Sequence, residues 1–411
     1  MLGLVSLDIH MIRNKNKEMI IMALSAKQIF TIVNEVAKQA MGSKDIEVVD
    51  NTGLIALGNT VIGSNETKNN FINALTDRIG RTIVSFRAYH SHFPDFERDA
   101  IEWGNILQKL KIGMPDAESD QSYNLTNGAS VDQYKINKPT VNQLLFSYET
   151  PWQTHITIHQ KNLKKAFLNA ESMGIFISGV FGEVQNRIEL AMENLSMDCV
   201  NNYIAEILAR KSQKPTRIIK LITEYKDKTG VDHTTTPTDA LDDEEFLKYV
   251  VRRINSLSIN FEYMSSGIFN HGEVYSSSGD ISVFTRHTPK SEQRMMLFID
   301  LVNALKTNIN SKAFNMEQVA VDIPFQTVPF WQSMQTPSGI NVKTSSNGAE
   351  ITQSLVMGIL YDREAMGTFK KDYISSTSPF NSAGLYYNVF YHMITMYYND
   401  LSENAVIFLL E

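Results

Sequence analysis

The end of the chain constrains the fold more than any other part of the sequence. The tract from Gly384 to Glu411 is dense in Tyr, Phe and Met, and it finishes on the apolar run Ala405 to Leu410 without a polar tail. Chain ends are usually frayed and solvated, whereas an apolar run of this kind needs to be covered. We therefore expect the carboxyl-terminal tract to be buried, either in its own core or at an interface.

Composition places the chain among folded globular proteins. It has 411 residues, of which 43% are hydrophobic and 20% charged, and this length allows roughly two or three modules. No apolar run reaches the roughly 20 residues that a membrane-spanning helix needs, so we expect no membrane contact. The formal net charge of -7 argues against a nucleic-acid binder that works through a broad basic face.

The first residues do not resemble a secretory signal. Arg13, Lys15 and Lys17 follow a short apolar stretch, whereas a signal peptide places its basic residues first, and no small-residue cleavage site is evident. The Lys17-Glu18 pair can be encoded as a ribosome-binding sequence at initiation distance before Met22. We interpret residues 1–21 as an over-extended reading frame with Met22 as the true start, and Met1 stays the alternative.

Apolar spacing outlines the first part of the chain. It predicts a helix over Ala26–Met41 and another over Asn69–Arg78, followed by a strand at Thr82–Phe86. Residues 42–69 are rich in Asn, Gly, Ser and Thr, which predicts an arm or extended connection. Residues 87–151 lack a clear periodicity, and we interpret them as a long protruding loop or extended hairpin.

The longest periodic segment follows a predicted strand at Trp152–His159. Apolar residues keep to one face from Ser172 to Ala209, which predicts a single helix roughly 57 Å long. A compact chain of this size has a radius of gyration of only about 22 Å, so such a helix would be a spine that spans the molecule. Lys214-Pro215 marks a boundary, and the irregular mixture of helices and strands beyond it predicts an α+β module.

Two pairs of histidines have spacings that metal sites use. His90 and His92, like His155 and His159, can share one face of a strand, but no carboxylate or thiolate is spaced to join them. We interpret these four as residues of polar strand surfaces. His392 lies within the aromatic tract, and we expect a hydrogen-bonded core residue there.

The single cysteine and an acidic cluster have structural interpretations. Cys199 lies at apolar spacing in the predicted spine, so we expect a small core residue rather than a nucleophile. The carboxylates between Asp239 and Glu245 are typical of a helix start, since a calcium loop needs Gly and a fixed ligand rhythm. No nucleophile elbow, zinc-protease pair or phosphate-binding loop is present. We therefore expect no catalytic, metal or cofactor site.

The order of several segments resembles one protein family. FINALTDRIGRTIV (Phe71–Val84) is followed by the long loop, the Trp152 strand with its KAFLN turn, and the spine. SKAFNM (Ser311–Met316), GLYYNVFYHM and NAVIFL (Asn404–Leu409) follow later in the chain. From about Phe71 to the end, this order and spacing are similar to those of the major capsid proteins of small podoviral tailed phages.

The resemblance implies the shell fold shared by tailed phages and herpesviruses, the Hong Kong ninety-seven fold, which is an α+β architecture. Its implied parts are an amino-terminal arm, a peripheral domain with the spine helix, an extended loop and an axial domain. Residues 384–411 are then expected to return to the peripheral domain and complete its sheet. The other boundaries are residues 22–70 for the arm, 71–86 and 152–213 for the peripheral domain, 87–151 for the loop, and 214–383 for the axial domain.

The function implied by the resemblance is that of a non-catalytic major capsid protein. Such a chain self-assembles into the icosahedral head of the virion, which encloses a double-stranded DNA genome. The implied partners are further copies of the chain in pentamers and hexamers, a scaffolding protein, a portal protein, and DNA without sequence-specific contacts. Some shells of this class are locked by a Lys-Asn isopeptide, and Lys109 and Lys111 lie in the loop. No partner is identifiable for them, so we interpret them as solvated lysines.

Two alternatives from other classes stay open. An encapsulin-like cellular nanocompartment shell would use the same fold to hold a cargo enzyme, although such chains are usually shorter. A metal-dependent hydrolase could use His155 and His159, and it would require measurable bound metal.

Overall fold

The fold is described from a computed structural model of the chain. The predicted strand Thr82–Phe86, His90, the segment Ser311–Met316 and residues 1–21 lie outside the described residues. The structure describes residues 26–41, 48–79, 91–98, 107–112, 120–132, 134, 136, 141–146, 149–177, 179, 182–212, 215–264, 273–275, 281–283, 287–309, 323–344 and 348–411.

The described part of the chain begins with three helices. These are α1 (Ala26–Met41), α2 (Asn51–Gly63) and α3 (Asn65–Ile79). The predicted helix over Ala26–Met41 is confirmed, but the extended connection expected over residues 42–69 is wrong for residues 51–69, where the described chain is helical except at Ser64. Asn, Gly and Thr are weak helix formers, yet α2 buries Leu54, Leu57 and Val61 on one side. This burial outweighs the low propensity, because tertiary packing supplies most of the stability of a protein helix.

A two-stranded hairpin occupies the region interpreted as a protruding loop. Strands β1 (Leu107–Ile112) and β2 (Val141–Phe146) pair in antiparallel register, with Leu107 opposite Phe146 and Ile112 opposite Val141. The hairpin, as we call residues 107–146, leads directly into strand β3 (Thr150–His159).

A three-stranded sheet holds β3 at one edge. The long strand β13 (Tyr386–Asn399) is central and pairs with both β3 and β12 (Met366–Thr377) in antiparallel fashion. Short helices α4 (Gln160–Ala166) and α5 (Ala170–Ile177) follow β3.

The spine is the longest helix that the described residues contain. Helix α6 runs over Glu183–Ala209, a length of 27 residues. The expected single α-helix from Ser172 is therefore wrong at its amino-terminal part. Between α5 and α6, Gly179 and Gly182 have the wider π-helical hydrogen bonding. Glycine weakens α-helical geometry, and π-turns are inserted where that geometry is interrupted.

A second sheet of five strands lies beyond the spine, in the order β4, β14, β11, β7, β8. Strand β11 pairs antiparallel with both β14 and β7, whereas β4 and β8 join the sheet in parallel. The strands are β4 (Ile218–Lys220), β7 (Gln293–Phe298), β8 (Phe325–Val328), β11 (Val356–Asp362) and β14 (Ala405–Leu409).

Three helices and two small hairpins accompany this sheet, as the prediction of an α+β module required. Asp243 caps the start of α8, where its side chain accepts a hydrogen bond from the backbone N–H of Glu245 at 2.9 Å. The helix start predicted from the acidic cluster is thus confirmed. The remaining elements are α7 (Leu221–Thr229), α8 (Glu244–Glu262), α9 (Ile299–Ala304), β5 (Glu273–Tyr275) with β6 (Ile281–Val283), and β9 (Ile340–Lys343) with β10 (Glu350–Gln353).

The buried apolar residues form two main cores that the spine connects. The first core lies among α1 to α5, β3 and β13, and it includes Val184 and Ile188 from the start of α6. The second surrounds the five-stranded sheet and includes Tyr203 and Leu208 from the end of α6. One continuous helix therefore contributes to both cores, which ties the two modules together.

The carboxyl-terminal tract is buried, as expected, but it does not return as one unit to the sheet of β3. Only β13 pairs with β3. Strand β14 instead inserts between β4 and β11 in the five-stranded sheet, where Ala405, Val406, Ile407 and Phe408 are fully buried. Strand β12, which we expected within the second module, pairs along its length with β13. The chain therefore crosses between the sheets at two turns, one before β12 and one before β14.

Candidate functional site

The described residues of the hairpin include many large apolar side chains that are exposed. Tyr134 is 81% exposed and Ile136 is 80% exposed, and both lie between the two strands in sequence. Soluble proteins rarely leave a contiguous apolar patch in water unless it contacts a partner. The exposed large apolar side chains of the hairpin are Leu110, Ile112, Tyr123, Leu125, Val131, Tyr134, Ile136, Val141 and Leu145.

The base of the hairpin packs on the three-stranded sheet. Leu107 and Phe146, which face each other across the two strands, contact a small cluster of Phe369, Met396 and Tyr398. The rings of Phe146 and Tyr398 have centroids 5.3 Å apart. Alternation along β1 places Leu107 and Lys109 on the same side, toward the body of the subunit.

Lys109 makes an ionic contact between the hairpin and the body. Its Nζ lies 2.7 Å from Oε1 of Glu403, 2.9 Å from Oδ2 of Asp400 and 3.3 Å from Oε2 of Glu364. The side chain of Lys109 is only 19% exposed, and those of Asp400 and Glu403 are 1% and 0% exposed. The expectation of a solvated lysine is therefore wrong for Lys109, while the side chain of Lys111 lies outside the described part of the chain.

The surroundings of Lys109 favour the protonated form of its side chain. Burial alone would lower the pKa of this ammonium, but the neighbouring carboxylates of Asp400 and Glu403 outweigh that effect and raise the pKa above its ordinary value. Lys109 is therefore a permanent cation at neutral pH. A buried pair of carboxylates requires such a partner, because a buried charge without one is costly.

The carboxylates belong to the turn between β13 and β14, residues 400–404, which we call the junction turn. Asp400, Ser402, Glu403 and Asn404 are all buried there. Arg217 closes the turn from the other side, since Nη1 donates to the carbonyl of Leu401 at 2.7 Å and Nη2 donates to that of Glu403 at 3.0 Å. The turn that connects the two sheets is thus held by groups from separate elements.

Further hydrogen bonds attach the junction turn to the spine and to the preceding crossover. The hydroxyl of Tyr203 on α6 donates to the carbonyl of Asp400 at 3.3 Å. The backbone N–H of Asp400 donates to the carbonyl of Ala365 at 2.7 Å, in the short helical turn that precedes β12. Glu364, the third carboxylate near Lys109, lies in that same turn. Lys109 therefore joins the hairpin to both crossovers between the sheets.

The outer face of the three-stranded sheet carries His155, His159 and His392. His155 and His159 alternate with inward residues on β3 and are exposed, as the polar strand interpretation predicted. His392 is exposed as well, so the expectation of a core position is wrong. Its ring stacks beside Phe390, with centroids 6.4 Å apart, because residues 390 and 392 are alternate positions on the same face of β13.

Cys199 and His92 lie away from this face of the sheet. Cys199 is fully buried on α6, where its Sγ donates to Oδ1 of Asn399 at 2.9 Å, and the prediction of a core thiol is confirmed. Burial raises the pKa of this thiol far above its usual range. His92 lies in a bend and not on a strand, so the strand interpretation is wrong for this residue. Its Nδ1 lies 3.3 Å from the carboxylate of Glu193 on α6.

Within the part of the chain that the structure describes, no three His, Cys, Asp or Glu side chains gather closely enough to hold a metal ion. Among the described helices, none has the length and apolar character required to cross a membrane.

The fold defines a class of protein. It matches the capsid structure of Staphylococcus phage Andhra with a TM-score of 0.53 at 11% identity, over 80% of this chain and 86% of that chain. At such low identity the match concerns the fold alone, which is the capsid fold of tailed phages. The fold class implied by the sequence is confirmed.

The family follows from the sequence itself. A family model described as Phi29-like phage major capsid protein matches residues 31–409, and this chain belongs to that family. The major capsid protein of Bacillus phage PZA is 22% identical over 363 residues, which are 88% of this chain and 68% of the relative. That of Bacillus phage B103 is 21% identical over 391 residues, which are 94% of this chain and 74% of the relative.

A third relative matches over a shorter stretch. The major capsid protein of Bacillus phage GA-1 is 21% identical over 187 residues, which span 45% of this chain but only 39% of that relative. Together the matches make the chain a structural component of the virion capsid. The cellular nanocompartment and the hydrolase find no support among them.

Sequence reasoning missed the ionic contact of Lys109. Its partners Asp400 and Glu403 are acidic residues within an otherwise apolar tract, flanked by strands that the sequence predicts to be buried. Carboxylates that are buried among apolar residues need a positively charged partner inside the fold. Their presence in this tract was the sequence signal for a buried ionic contact. The cation itself lies too far away in the sequence to be identified from that signal.

Proposed function

We propose that this chain builds its shell from pentamers and hexamers in which each hairpin lies on a neighbouring subunit. The observation that carries the proposal is the uncovered apolar surface of the hairpin, which includes Tyr134 and Ile136. Copies of one chain that pack around a ring present the same surface to each neighbour, and a closed shell repeats this contact. Many small contacts of this kind together stabilise an assembly.

In this proposal the two modules have the roles of the peripheral and axial domains. The three-stranded sheet, helices α1 to α5 and the start of the spine form the peripheral domain. The five-stranded sheet and the helices around it form the axial domain, whose contacts close the capsomer. Since β12 pairs with β13, the boundary of the axial domain falls near Met366 rather than at residue 383.

The remaining partners follow from the role of a shell. A scaffolding protein directs the curvature of the assembling shell, and a portal protein occupies one vertex. Double-stranded DNA is packaged inside without sequence-specific contacts. The formal charge of -7 supports this, since a wall that bound the phosphate backbone tightly would hinder packaging. The role is structural, and no step of catalysis is assigned to the chain.

The hairpin contact is tested by a pair of substitutions at its exposed positions. Tyr134→Ser combined with Ile136→Ser should abolish shell formation while the subunit keeps its circular dichroism spectrum and melting temperature. Met334→Ser is the matched control, because Met334 is 78% exposed but lies far from the hairpin in the chain. Negative-stain electron microscopy would count shells and capsomer rings for each variant. Normal shells from the double variant would refute the hairpin contact.

The assembly itself is tested by expression with and without the neighbouring open reading frames. Closed shells or capsomer rings are expected in at least one condition. A subunit that stays a well-behaved monomer in the presence of its scaffolding protein would contradict the proposed assembly.

A further inference from the structure

Among the described residues, the hairpin contacts its own subunit near its base. On β1 and β2, the described side chains beyond Lys109 and its opposite residue Leu144 toward the tip are exposed, and so are those described between Ser122 and Ile136. Lys109 is therefore the outermost point at which the described hairpin contacts the body. A support at this position controls the direction of everything beyond it.

The partners of Lys109 come from both crossovers between the sheets. Glu364 lies in the turn before β12, whereas Asp400 and Glu403 lie in the junction turn before β14. The junction turn is in turn fixed by Arg217 and by Tyr203 of the spine. A change in the angle of the hairpin would therefore break contacts to a rigid, buried part of the molecule.

Apolar packing alone would let the hairpin rotate about its base. Leu107 and Phe146 contact the sheet through non-directional apolar surface, which permits small rotations about the base. Charged hydrogen bonds are directional and depend on distance. An ammonium held between carboxylates of two separate turns removes this freedom.

We propose that Lys109 is a positioning residue for assembly, which fixes the angle at which the hairpin leaves the subunit and so sets the geometry of the contact with the neighbouring copy. The inference rests on the proposed contact between the hairpin and that neighbour. It predicts that loss of Lys109 disorders the hairpin direction in a folded subunit and broadens the distribution of shell sizes.

The first experiment measures the hairpin direction in the unassembled subunit. Cys199 is buried and should not react with a nitroxide label. The exposed positions Ser130 on the hairpin and Ser256 on α8 can therefore be changed to Cys and labelled selectively. Double electron-electron resonance then reports the distance between the two labels. We expect one narrow distribution in the parent, and a distribution wider by about twofold or more for Lys109→Met, as for a released hinge. Lys109→Arg keeps the cation and should restore the narrow distribution.

The second experiment measures the shells. Lys109→Met should give particles of mixed diameter or open sheets, whereas Lys248→Met should give uniform shells. Lys248 is a suitable control because its ion pairs with Glu244 and Glu245 lie on the surface of α8. A distance distribution for Lys109→Met as narrow as that of the parent would overturn the inference, and so would uniform shells from this variant.

A third variant covers the case in which Lys109→Met does not fold. Combining it with Asp400→Asn and Glu403→Gln removes the buried negative charges while leaving the hairpin without its ionic support. We expect this variant to fold, with a wide distance distribution. If it folds with a narrow distribution, Lys109 does not position the hairpin and the inference is wrong.

The label distances do not depend on assembly, so the outcomes are separable. If Tyr134→Ser with Ile136→Ser assembles normally, the proposed contact between subunits fails, whatever the label distances show. If that contact holds and the distances do not change in the Lys109 variants, only the positioning role fails.

Discussion

The ammonium of Lys109 lies 2.7 Å from the carboxylate of Glu403, although 294 positions separate these residues in the sequence. The contact joins the base of the hairpin to the turn between the two sheets. The side chain of Glu403 is fully buried, and that of Lys109 is only 19% exposed. The energetics of this pair lead to the first two predictions.

Lys109→Met should destabilise the unassembled subunit strongly. Removing one partner of a buried ion pair typically costs about 3–5 kcal/mol, because the other charge stays buried. Urea unfolding followed by circular dichroism would measure the loss. Lys248→Met, which removes surface pairs only, should leave the free energy of unfolding close to that of the parent. Equal stability of the two variants would contradict this account of the Lys109 cluster.

The contribution of Lys109 should not vary with pH between about pH 7 and pH 9. The pKa of its ammonium is raised in the folded subunit. The stabilisation is therefore fully present below the unfolded pKa of about 10.4, and it is lost only as the pH rises through the higher folded value. Urea unfolding of the parent and of Lys109→Met at several pH values would test this. A difference that disappears by pH 9 would show that Lys109 is not held by the carboxylates.

Cys199 should be inert in the folded protein. Its thiol is buried against Asn399, and its pKa is raised by burial, so almost no thiolate is present near pH 8. Ellman's reagent should therefore react with the parent only after unfolding in guanidinium chloride. A Ser130→Cys variant should gain one fast-reacting thiol in the native state, since Ser130 is exposed. Rapid reaction of the native parent would mean that α6 opens at this position.

Gly58→Ala should destabilise the first core, whereas Gly63→Ala should not. A Cβ atom at Gly58 would lie 2.6 Å from the Cβ of Phe167, but nothing lies within 4 Å of such an atom at Gly63. Overpacking of this kind typically costs about 1–3 kcal/mol. Both glycines belong to α2, so helix propensity changes in the same direction in the two variants. Thermal unfolding would separate them, and a parent-like melting temperature for Gly58→Ala would contradict the packing of α2 on Phe167.

The sequence predicted the elements whose signals are local. Helix α1 and the burial of the carboxyl-terminal tract follow from apolar spacing and composition. The helix start near Asp243 follows from the clustered carboxylates. Helix α2 could not be predicted in this way, because its Asn, Gly and Thr residues disfavour a helix until Leu54 and Leu57 are buried against distant elements. Tertiary packing overrides local propensity at such positions.

The sequence also did not predict which distant segments pair with each other. Burial of Ala405–Leu410 could be predicted from its composition, but its position between β4 and β11 could not. A buried strand carries the same apolar pattern in either sheet, so the pattern does not identify its neighbours. The ionic contacts of Lys109 could not be predicted either, because they join residues from two distant parts of the chain.

Shortening a buried side chain of β14 should lower the stability of the subunit itself, and not only its contacts with other subunits. Phe408 is fully buried between neighbouring strands of the five-stranded sheet. Phe408→Ala should therefore lower the free energy of unfolding by about 3–5 kcal/mol. Met334→Ala, at an exposed position, should have little effect. Urea unfolding of the two unassembled variants would show the difference, and similar values would mean that β14 packs less tightly than the structure indicates.

Deleting Ala405–Leu410 should abolish folding altogether. The deletion removes β14, which holds β4 on one side and β11 on the other, and so divides the sheet into unconnected parts. It also exposes the apolar residues that β14 covers, and the truncated chain should be insoluble or lack a cooperative unfolding transition. Circular dichroism and urea unfolding of the purified chain would decide. A soluble, cooperatively folded truncation would show that the tract serves an interface between subunits, because only then could the subunit core form without it.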